Sequence, residues 1–353
     1  MTTILLKNTK AILPEGELEN AFVIIENDRI IAVTNTEIKA GETINLEGSR
    51  LFAGFIDIHI HGSVDVDVNS SDAAELQRLA KFLAENGVTA WLPTLVPDSD
   101  ENYRKAINSI ENLVEIQAEE PIAQALGVHY EGVFANEKMC GALRPEFFKT
   151  FTRGNEIGSL PKLAEGIHFT TLAPEIENGI ELIRELARQN WIVSIGHTRA
   201  GTETLDKAKR AGAKHLTHFF NAMSGIHHRE TGVAGWALTN EDVTFDIIAD
   251  AVHVAPQMLK FAAGIKSPDK VSLISDAIAP TGLGDGDYEI WGEKISVING
   301  KTQNERGSIA GSVITMLDAV RLMLSLGFSD SQVSKMASAN PAKLLGIEKT
   351  HGT

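Results

Sequence analysis

The chain has 353 residues, of which 43% are hydrophobic, and it carries a formal net charge of −15. This length is too great for one small core and fits one large α/β domain with an appendage. The acidic balance argues against a broad surface for nucleic acid or anionic membrane, because both kinds of surface need clustered Lys and Arg.

The cysteine content and the first residues bear on the cellular location. Cys140 is the single cysteine, which excludes a disulfide framework within the chain. Residues 1–7 lack the basic start, apolar core and cleavage site of a secretory signal, and no apolar run approaches the ~20 residues of a membrane span. We therefore expect a cytoplasmic protein with no membrane or nucleic-acid partner.

Residues 1–50 alternate short β-branched runs with turn residues, which predicts a small β layer. Asn27-Asp28 stands between two apolar runs and predicts a hairpin turn. A β appendage that begins here would normally take partner strands from the C-terminus, but residues 348–353 supply none. The expected appendage is a small β-sandwich whose C-terminal part is reduced or missing.

From Leu51 onward, apolar strand-like runs alternate with amphipathic stretches of helical period, as in a parallel sheet or barrel. Ser71-Asp72 can cap a helix that stops at Gly87, and Asn178-Gly179 opens another. Eight strands are predicted, at residues 51–61, 88–95, 124–131, 168–175, 191–197, 213–219, 244–253 and 270–276. Eight is the number that a TIM-like (β/α)8 barrel requires, so residues 51–353 are predicted to form one.

The segment after the eighth strand closes the predicted barrel. Residues 287–310 are typical of a β-ribbon, and residues 313–327 and 329–345 are typical of two helices.

Histidines and carboxylates collect at the C-terminal ends of the predicted strands, where barrel enzymes place their active sites. His59 and His61 are two apart on a strand and share a face, although such a pair also occurs by chance. The candidate ligands of one or two divalent ions are His59, His61, Glu131, His197 and His218. Asp276 could act on metal-activated water, whose pKa falls from 15.7 to about 7, so the combination predicts metal-assisted hydrolysis.

Several neighbouring polar residues have simpler interpretations. His129 and His215 are expected to be buried histidines that satisfy hydrogen bonds. Glu175 is either a hydrogen-bonding residue of the barrel interior or part of the site. His227 and His228 lie in a glycine-flanked loop and are either solvent-facing or functional.

Seven motifs, taken together and in order, resemble the amidohydrolase superfamily and, within it, the family of N-acetylglucosamine-6-phosphate deacetylases. They cover nearly the whole chain and lie at residues 54–62, 127–132, 171–175, 194–198, 218–223, 275–280 and 307–312. The resemblance implies a principal metal site at Glu131, His197 and His218, a second at His59 and His61, and Asp276 as general acid/base. The expected metal is zinc or iron, with one or two ions per subunit.

The resemblance also implies a substrate site and a homodimer. Asn221, Ala222 and Arg229 match residues that hold a sugar phosphate, and the arginine reaches in from a neighbouring subunit. His253 matches a further sugar-contacting position. Arg229 suits a phosphate, but it could instead be a surface cation paired with Glu230 or another carboxylate.

Two positions depart from the family pattern, in which a proline would follow Gly132 and a histidine would follow Ala142. This chain has Val133 and Leu143 there. The family histidine helps to polarise the acetyl carbonyl, and losing such a donor typically costs about 2.7–4 kcal/mol. Ala142 and Leu143 therefore belong to the expected substrate site. We hypothesise that a second metal at His59 and His61, or the side chain of Arg144, replaces the missing donor.

The predicted reaction is hydrolysis of the N-acetyl amide of an amino sugar phosphate. N-acetylglucosamine 6-phosphate would give glucosamine 6-phosphate and acetate. The alternatives are N-acetylgalactosamine 6-phosphate, another N-acyl substrate such as an N-acyl amino acid, and a non-catalytic sugar-phosphate-binding protein.

Overall fold

The computed structural model describes residues 3–27, 29–38, 41–152, 155–158 and 160–351. The N-terminal segment forms one five-stranded sheet, with strands Thr3–Leu13, Gly16–Glu26, Arg29–Thr34, Glu42–Asn45 and Arg50–Phe52. Glu26 pairs with Arg29 across an antiparallel hairpin, as expected, whereas Asp28 of the predicted turn lies outside the described residues. Within those residues no later strand joins this sheet. Residues 352 and 353 of the C-terminal segment also lie outside the described part.

Eight parallel strands follow and form the predicted (β/α)8 barrel. They are Phe55–Ile60, Val88–Leu95, Gly127–Phe134, Ile167–Leu172, Ile192–Ile195, His215–Leu216, Thr244–Ile248 and Val271–Ile274. The short strand Gln124–Ala125 precedes the third strand and pairs with the second. Backbone hydrogen bonds from Asp276 to His59 (2.9 Å) and from His61 to Ala277 (2.8 Å) join the last strand end to the first.

The predicted first strand, residues 51–61, is wrong in its bounds. Arg50–Phe52 pairs with Thr3–Leu13 in the N-terminal sheet, and Phe55–Ile60 starts the barrel. The chain changes sheets at Gly54, where a Cβ would lie 2.2 Å from the Thr89 side chain. Glycine therefore permits this close approach between the first two barrel strands.

Helices alternate with the barrel strands along the chain. They are Ala73–Glu85, Asp100–Ile116, Asn155–Gly158, Gly179–Arg188, Thr202–Ala211, Gly232–Thr239, Pro256–Lys266 and Met316–Ser325. Asp72 caps the first of them with a capping box to Glu75, as the sequence predicts. None of the helices in the described ranges is long and apolar enough to cross a membrane.

The last part of the chain covers both ends of the barrel. The predicted ribbon is confirmed as three antiparallel strands, Gly286–Ile290, Glu293–Ile298 and Lys301–Asn304. The predicted final helix is broken into Asp330–Ser334, a π-helical turn at Lys335–Ala339, and Asn340–Leu345. Pro341 explains the break, because it has no N–H to donate to the preceding turn.

The first barrel strand has an irregular register, with a shift between Asp57 and Ile60. Ile56 and Ile58 are fully buried and belong to an apolar cluster with Ala342 and Leu345 of the last helix. Ile60 packs with Phe55 in a separate apolar cluster, so His59 and His61, which flank Ile60, lie on the opposite face from it.

Candidate active site

Six side chains from five barrel strands and the residues just after them converge at one mouth of the barrel. They are His59, His61, Glu131, His197, His218 and Asp276, and all six are buried. Two groups of three could each hold a metal ion, with ligand atoms within 4.8 Å of one another. Glu131, His197 and His218 form one group. His59, His61 and Asp276 form the other.

The Glu131 carboxylate faces both groups. Its Oε1 lies 3.0 Å from His197 Nε2 and 2.9 Å from His218 Nε2. Its Oε2 lies 3.3 Å from His61 Nε2. On the far side, Asp276 Oδ1 lies 3.2 Å from His61 Nε2 and 3.4 Å from His59 Nε2. The two groups are therefore adjoining parts of one site.

The donor set fits divalent cations. The Nε2 atoms of His59 and His61 are 3.1 Å apart, and so are those of His197 and His218. Two imidazole lone pairs cannot face each other at that distance unless a proton or a cation lies between them. Imidazole nitrogens and carboxylate oxygens also match the preferences of zinc and iron.

The electrostatics of the cluster favour positive charge at its centre. Burial alone would lower the pKa of His61, but hydrogen bonds to Asp276 and Glu131 outweigh burial and raise that pKa to about 10. Likewise, burial opposes a charge on His218, yet its hydrogen bond to Glu131 raises its pKa to about 9. Burial would raise the pKa of Glu131, but the neighbouring His59 and the other histidines hold it well below its usual value.

Backbone strain directs three of the six side chains into the barrel mouth. His197, His218 and Asp276 have φ values of 47°, 35° and 50°. Residues other than glycine rarely adopt this left-handed region, at a cost of roughly 1–3 kcal/mol each. His218 follows the sixth barrel strand, His215–Leu216. This strand is much shorter than the predicted one at residues 213–219.

Hydrogen bonds beyond the cluster fix the orientation of the site residues. Met139 O accepts from His197 Nδ1 (2.8 Å), and Thr94 O accepts from His61 Nδ1 (3.2 Å). Each contact leaves Nε2 directed at the centre, as in metal sites where a second contact orients each ligand. The buried Asp246 carboxylate accepts from the backbone N–H of His218 and so supports its unusual conformation.

Three of the residues with simpler interpretations, His129, His215 and Glu175, make hydrogen bonds within the barrel. His129 contacts Ile58 O (3.0 Å) and Thr171 Oγ1 (2.8 Å). His215 contacts Thr244 Oγ1 (2.7 Å) and Asp246 Oδ2 (3.0 Å). Glu175 accepts hydrogen bonds from the Asn136 amide, the Thr198 hydroxyl and the Arg199 backbone N–H, and so ties strand ends together.

A cavity of about 290 Å³ opens directly onto the cluster. Its lining comprises His61, Glu131, Gly141, Ala142, Leu143, His197, His218, Asn221, Ala222, His253, Asp276, Trp291, Ser308, Ile309 and Gly311. Five of the six expected substrate residues are among these. Arg229 is the exception: it lies in an exposed loop, with Nη1 2.7 Å from His228 Nε2. It forms no ion pair with Glu230 or any other carboxylate of the described residues.

Sequence reasoning missed Trp291, which reaches the cavity from the tip of the ribbon. Its ring stands at 83° to that of His61, with centroids 5.5 Å apart. Its indole N–H donates to Asp67 Oδ2 at 2.8 Å, so the ring is held in place. Trp291 and Ala142 pack against the same apolar cluster. The cavity therefore has an apolar wall, formed by these residues with Leu143, and a polar wall with Asn221 and His253.

Leu143, which occupies the position of the family histidine, and its neighbour Arg144 both make defined contacts. Leu143 is 5% exposed and packs over Gly132, where an added Cβ would lie 2.2 Å from the leucine. Arg144 is outside the cavity: its Nη2 contacts Asp98 Oδ2 and Pro97 O, both at 2.8 Å. The hypothesis that Arg144 replaces the lost donor is therefore not supported, because its guanidinium is bound elsewhere.

Known proteins resemble this chain in sequence and in fold. Residues 50–353 match the model of the amidohydrolase family. N-acetylglucosamine-6-phosphate deacetylase of Bacillus subtilis (strain 168) is 35% identical, over 100% of this chain and 91% of its own. N-acetylgalactosamine-6-phosphate deacetylase of Escherichia coli O157:H7 is 32% identical, over 99% and 92%. A solved Mycobacterium smegmatis N-acetyl-D-glucosamine-6-phosphate deacetylase variant, in complex with N-acetyl-D-glucosamine 6-phosphate, is 28% identical with a TM-score of 0.89, covering 98% and 91%. The chain belongs to the amidohydrolase family.

Proposed function

We propose that this chain is a metal-dependent deacetylase of an amino sugar 6-phosphate, with N-acetylglucosamine 6-phosphate as the first candidate. The products would be glucosamine 6-phosphate and acetate. The observation that carries this proposal is the six-residue cluster, in which Asp276 stands across from Glu131 at the floor of a cavity of substrate size. Support also comes from the relatives that carry this name.

Glu131, His197 and His218 would hold one cation, and His59 with His61 would hold a second beside Asp276. When bound, such an ion activates water and polarises the acyl carbonyl. We propose zinc or iron on the basis of the nitrogen and oxygen donors.

Asp276 is suited to carry the proton. Burial would raise its pKa, but the charges of His59 and His61 outweigh burial and lower it, so the carboxylate is ionised at neutral pH. Asp276 accepts a proton as water attacks the carbonyl carbon and forms the new C–O bond. It then donates that proton to the amide nitrogen as the C–N bond breaks, which releases acetate and the amine.

The two walls of the cavity suggest how the substrate lies. The acetyl methyl group would contact the apolar wall of Ala142, Leu143 and Trp291, and the sugar phosphate would lie along Asn221 and His253. No Lys or Arg side chain lines the cavity among the described residues. We therefore propose that Arg229 of a second copy supplies the cation for the phosphate, and that the protein is a cytoplasmic homodimer.

N-acetylgalactosamine 6-phosphate is the second candidate substrate. It is favoured by the Escherichia coli relative with that name, which matches 99% of this chain. Because Leu143 stands in place of the family histidine, this chain also lacks a side chain that would otherwise constrain how the substrate amide is held. A non-catalytic sugar-phosphate-binding role is disfavoured, because the ligand cluster and Asp276 are all present.

The test is acetate release from protein loaded with zinc or iron, with the metal content measured on the same sample. The substrates are N-acetylglucosamine 6-phosphate, its galactose epimer, unphosphorylated N-acetylglucosamine and N-acetyl amino acids. We expect the highest kcat/KM for one of the two sugar phosphates. Equal rates with and without phosphate would contradict the phosphate assignment, and no metal-dependent release from any substrate would contradict the proposed enzyme.

A further inference from the structure

His253 presents an uncommitted ring nitrogen to the cavity. It follows the seventh barrel strand, Thr244–Ile248, and its side chain is 7% exposed. Its Nδ1 lies 2.6 Å from Asp250 Oδ2. Within the described part of the chain, no hydrogen bond reaches its Nε2. On the same wall, the Asn221 amide nitrogen already contacts the backbone oxygens of His218 (3.2 Å) and Phe219 (3.4 Å).

One carboxylate fixes both the ring and the turn that carries it. Asp250 Oδ1 accepts from the backbone N–H groups of Val252 and His253, each at 2.8 Å, while its Oδ2 contacts the ring. Ala251, between Asp250 and Val252, has a φ of 61°, in the left-handed region. The Asp250 side chain is only 3% exposed. The aspartate therefore holds a strained turn in one conformation, and the histidine ring with it.

The chemistry of this pair determines which nitrogen bears hydrogen. An ionised carboxylate can only accept, so Nδ1 of His253 carries the proton that it donates to Asp250. The neutral ring then presents a bare Nε2 to the cavity, and the protonated ring presents an N–H. An aspartate that orients a histidine is a known means of fixing the tautomer of an active-site ring.

We propose that Asp250 is a positioning residue that fixes the tautomer and orientation of His253, so that Nε2 can contact the sugar phosphate. This role rests on the function proposed above. His253 lies on the polar wall with Asp250 behind it, and neither residue is part of the six-residue cluster. Asp250 therefore sets substrate affinity, and the rate of amide cleavage is set by the cluster.

Asp250→Asn provides the sharpest test, because it barely changes the size of the side chain. The amide oxygen can still accept from both backbone N–H groups, while the NH2 group donates to Nδ1 and reverses the tautomer. We expect KM for the sugar phosphate to rise about tenfold, with kcat within twofold of the wild type. The Asp242→Asn variant is the matched control, since that exposed carboxylate lies near the N-terminal end of the same strand.

Two further measurements separate positioning from simple destabilisation and from failure of the proposed function. The ¹⁵N NMR shifts of the His253 ring should report a reversed tautomer in Asp250→Asn, whether or not the protein turns over substrate. In a His253→Ala background, adding Asp250→Asn should leave KM and the Kd of glucosamine 6-phosphate unchanged. An unaltered tautomer, a loss in kcat at constant KM, or a further loss of affinity without His253 would each overturn the proposal. Absence of turnover in the wild type would instead refute the enzyme assignment, while the NMR and Kd readouts still test Asp250.

Discussion

Replacing both His59 and His61 with alanine tests how the chain polarises an acyl carbonyl without the family histidine. Leu143 offers no hydrogen-bond donor, and the Arg144 nitrogen that would be needed contacts Asp98 and Pro97. The histidine pair is therefore the remaining candidate for this role. Removal of one preorganised stabilising group typically costs about 10²–10³ in kcat, or about 2.7–4 kcal/mol. We expect a loss of that size in the double variant.

The assay combines acetate release with metal analysis. We expect the double variant to keep one ion per chain, on Glu131, His197 and His218, and to lose any ion held by the pair. Adding Leu143→His to the double variant should recover at least tenfold in kcat, because it restores a donor at the family position. His168→Ala is the matched control, since that half-buried histidine lies at the opposite end of a barrel strand. Full turnover by the double variant with one ion bound would refute this reasoning.

Three further predictions concern selectivity, packing and pH. Trp291→Ala should raise the ratio of kcat/KM for N-butyryl over N-acetyl substrate about tenfold or more, because it opens the apolar wall; an unchanged ratio would place the acyl group elsewhere. Gly127→Ala should lower the free energy of unfolding by about 1–3 kcal/mol in urea titrations, because its Cβ would lie 2.0 Å from Ile167 O; unchanged stability would refute the close contact. Burial lowers the pKa of Lys266 to about 8, so the unfolded chain binds more protons above that pH. Wild-type stability relative to Lys266→Met should therefore rise from pH 8 to 10.5, and a flat or falling difference would contradict the sign.

Much of the site could be predicted because parallel strands end at the same edge of a barrel. Glu131, His197 and Asp276 are far apart in the sequence, but Glu131 lies in the C-terminal half of its strand and the other two lie just after theirs, so the closed barrel brings them together. The start of the first helix could also be predicted from the sequence, because its capping box joins Asp72 and Glu75, which are only three residues apart. Local patterns and barrel topology were sufficient for these features.

Other features depend on tertiary contacts that no local pattern encodes. Trp291 reaches His61 because a ribbon after the eighth strand folds back over the barrel mouth. The left-handed conformation of His218 depends on Asp246, and Arg144 is drawn away from the cavity by Asp98. The division of the first predicted strand likewise follows from its pairing with Thr3–Leu13.

The most direct test of the proposed mechanism is the Asp276→Asn variant, assayed for acetate release from N-acetylglucosamine 6-phosphate and for metal content. The asparagine side chain keeps the size of the carboxylate but cannot carry the proton. We expect a folded protein that still holds the ion on Glu131, His197 and His218 and loses about 10²–10⁴ in kcat. Turnover near the wild-type value, with metal still bound, would remove Asp276 from the reaction and contradict the mechanism.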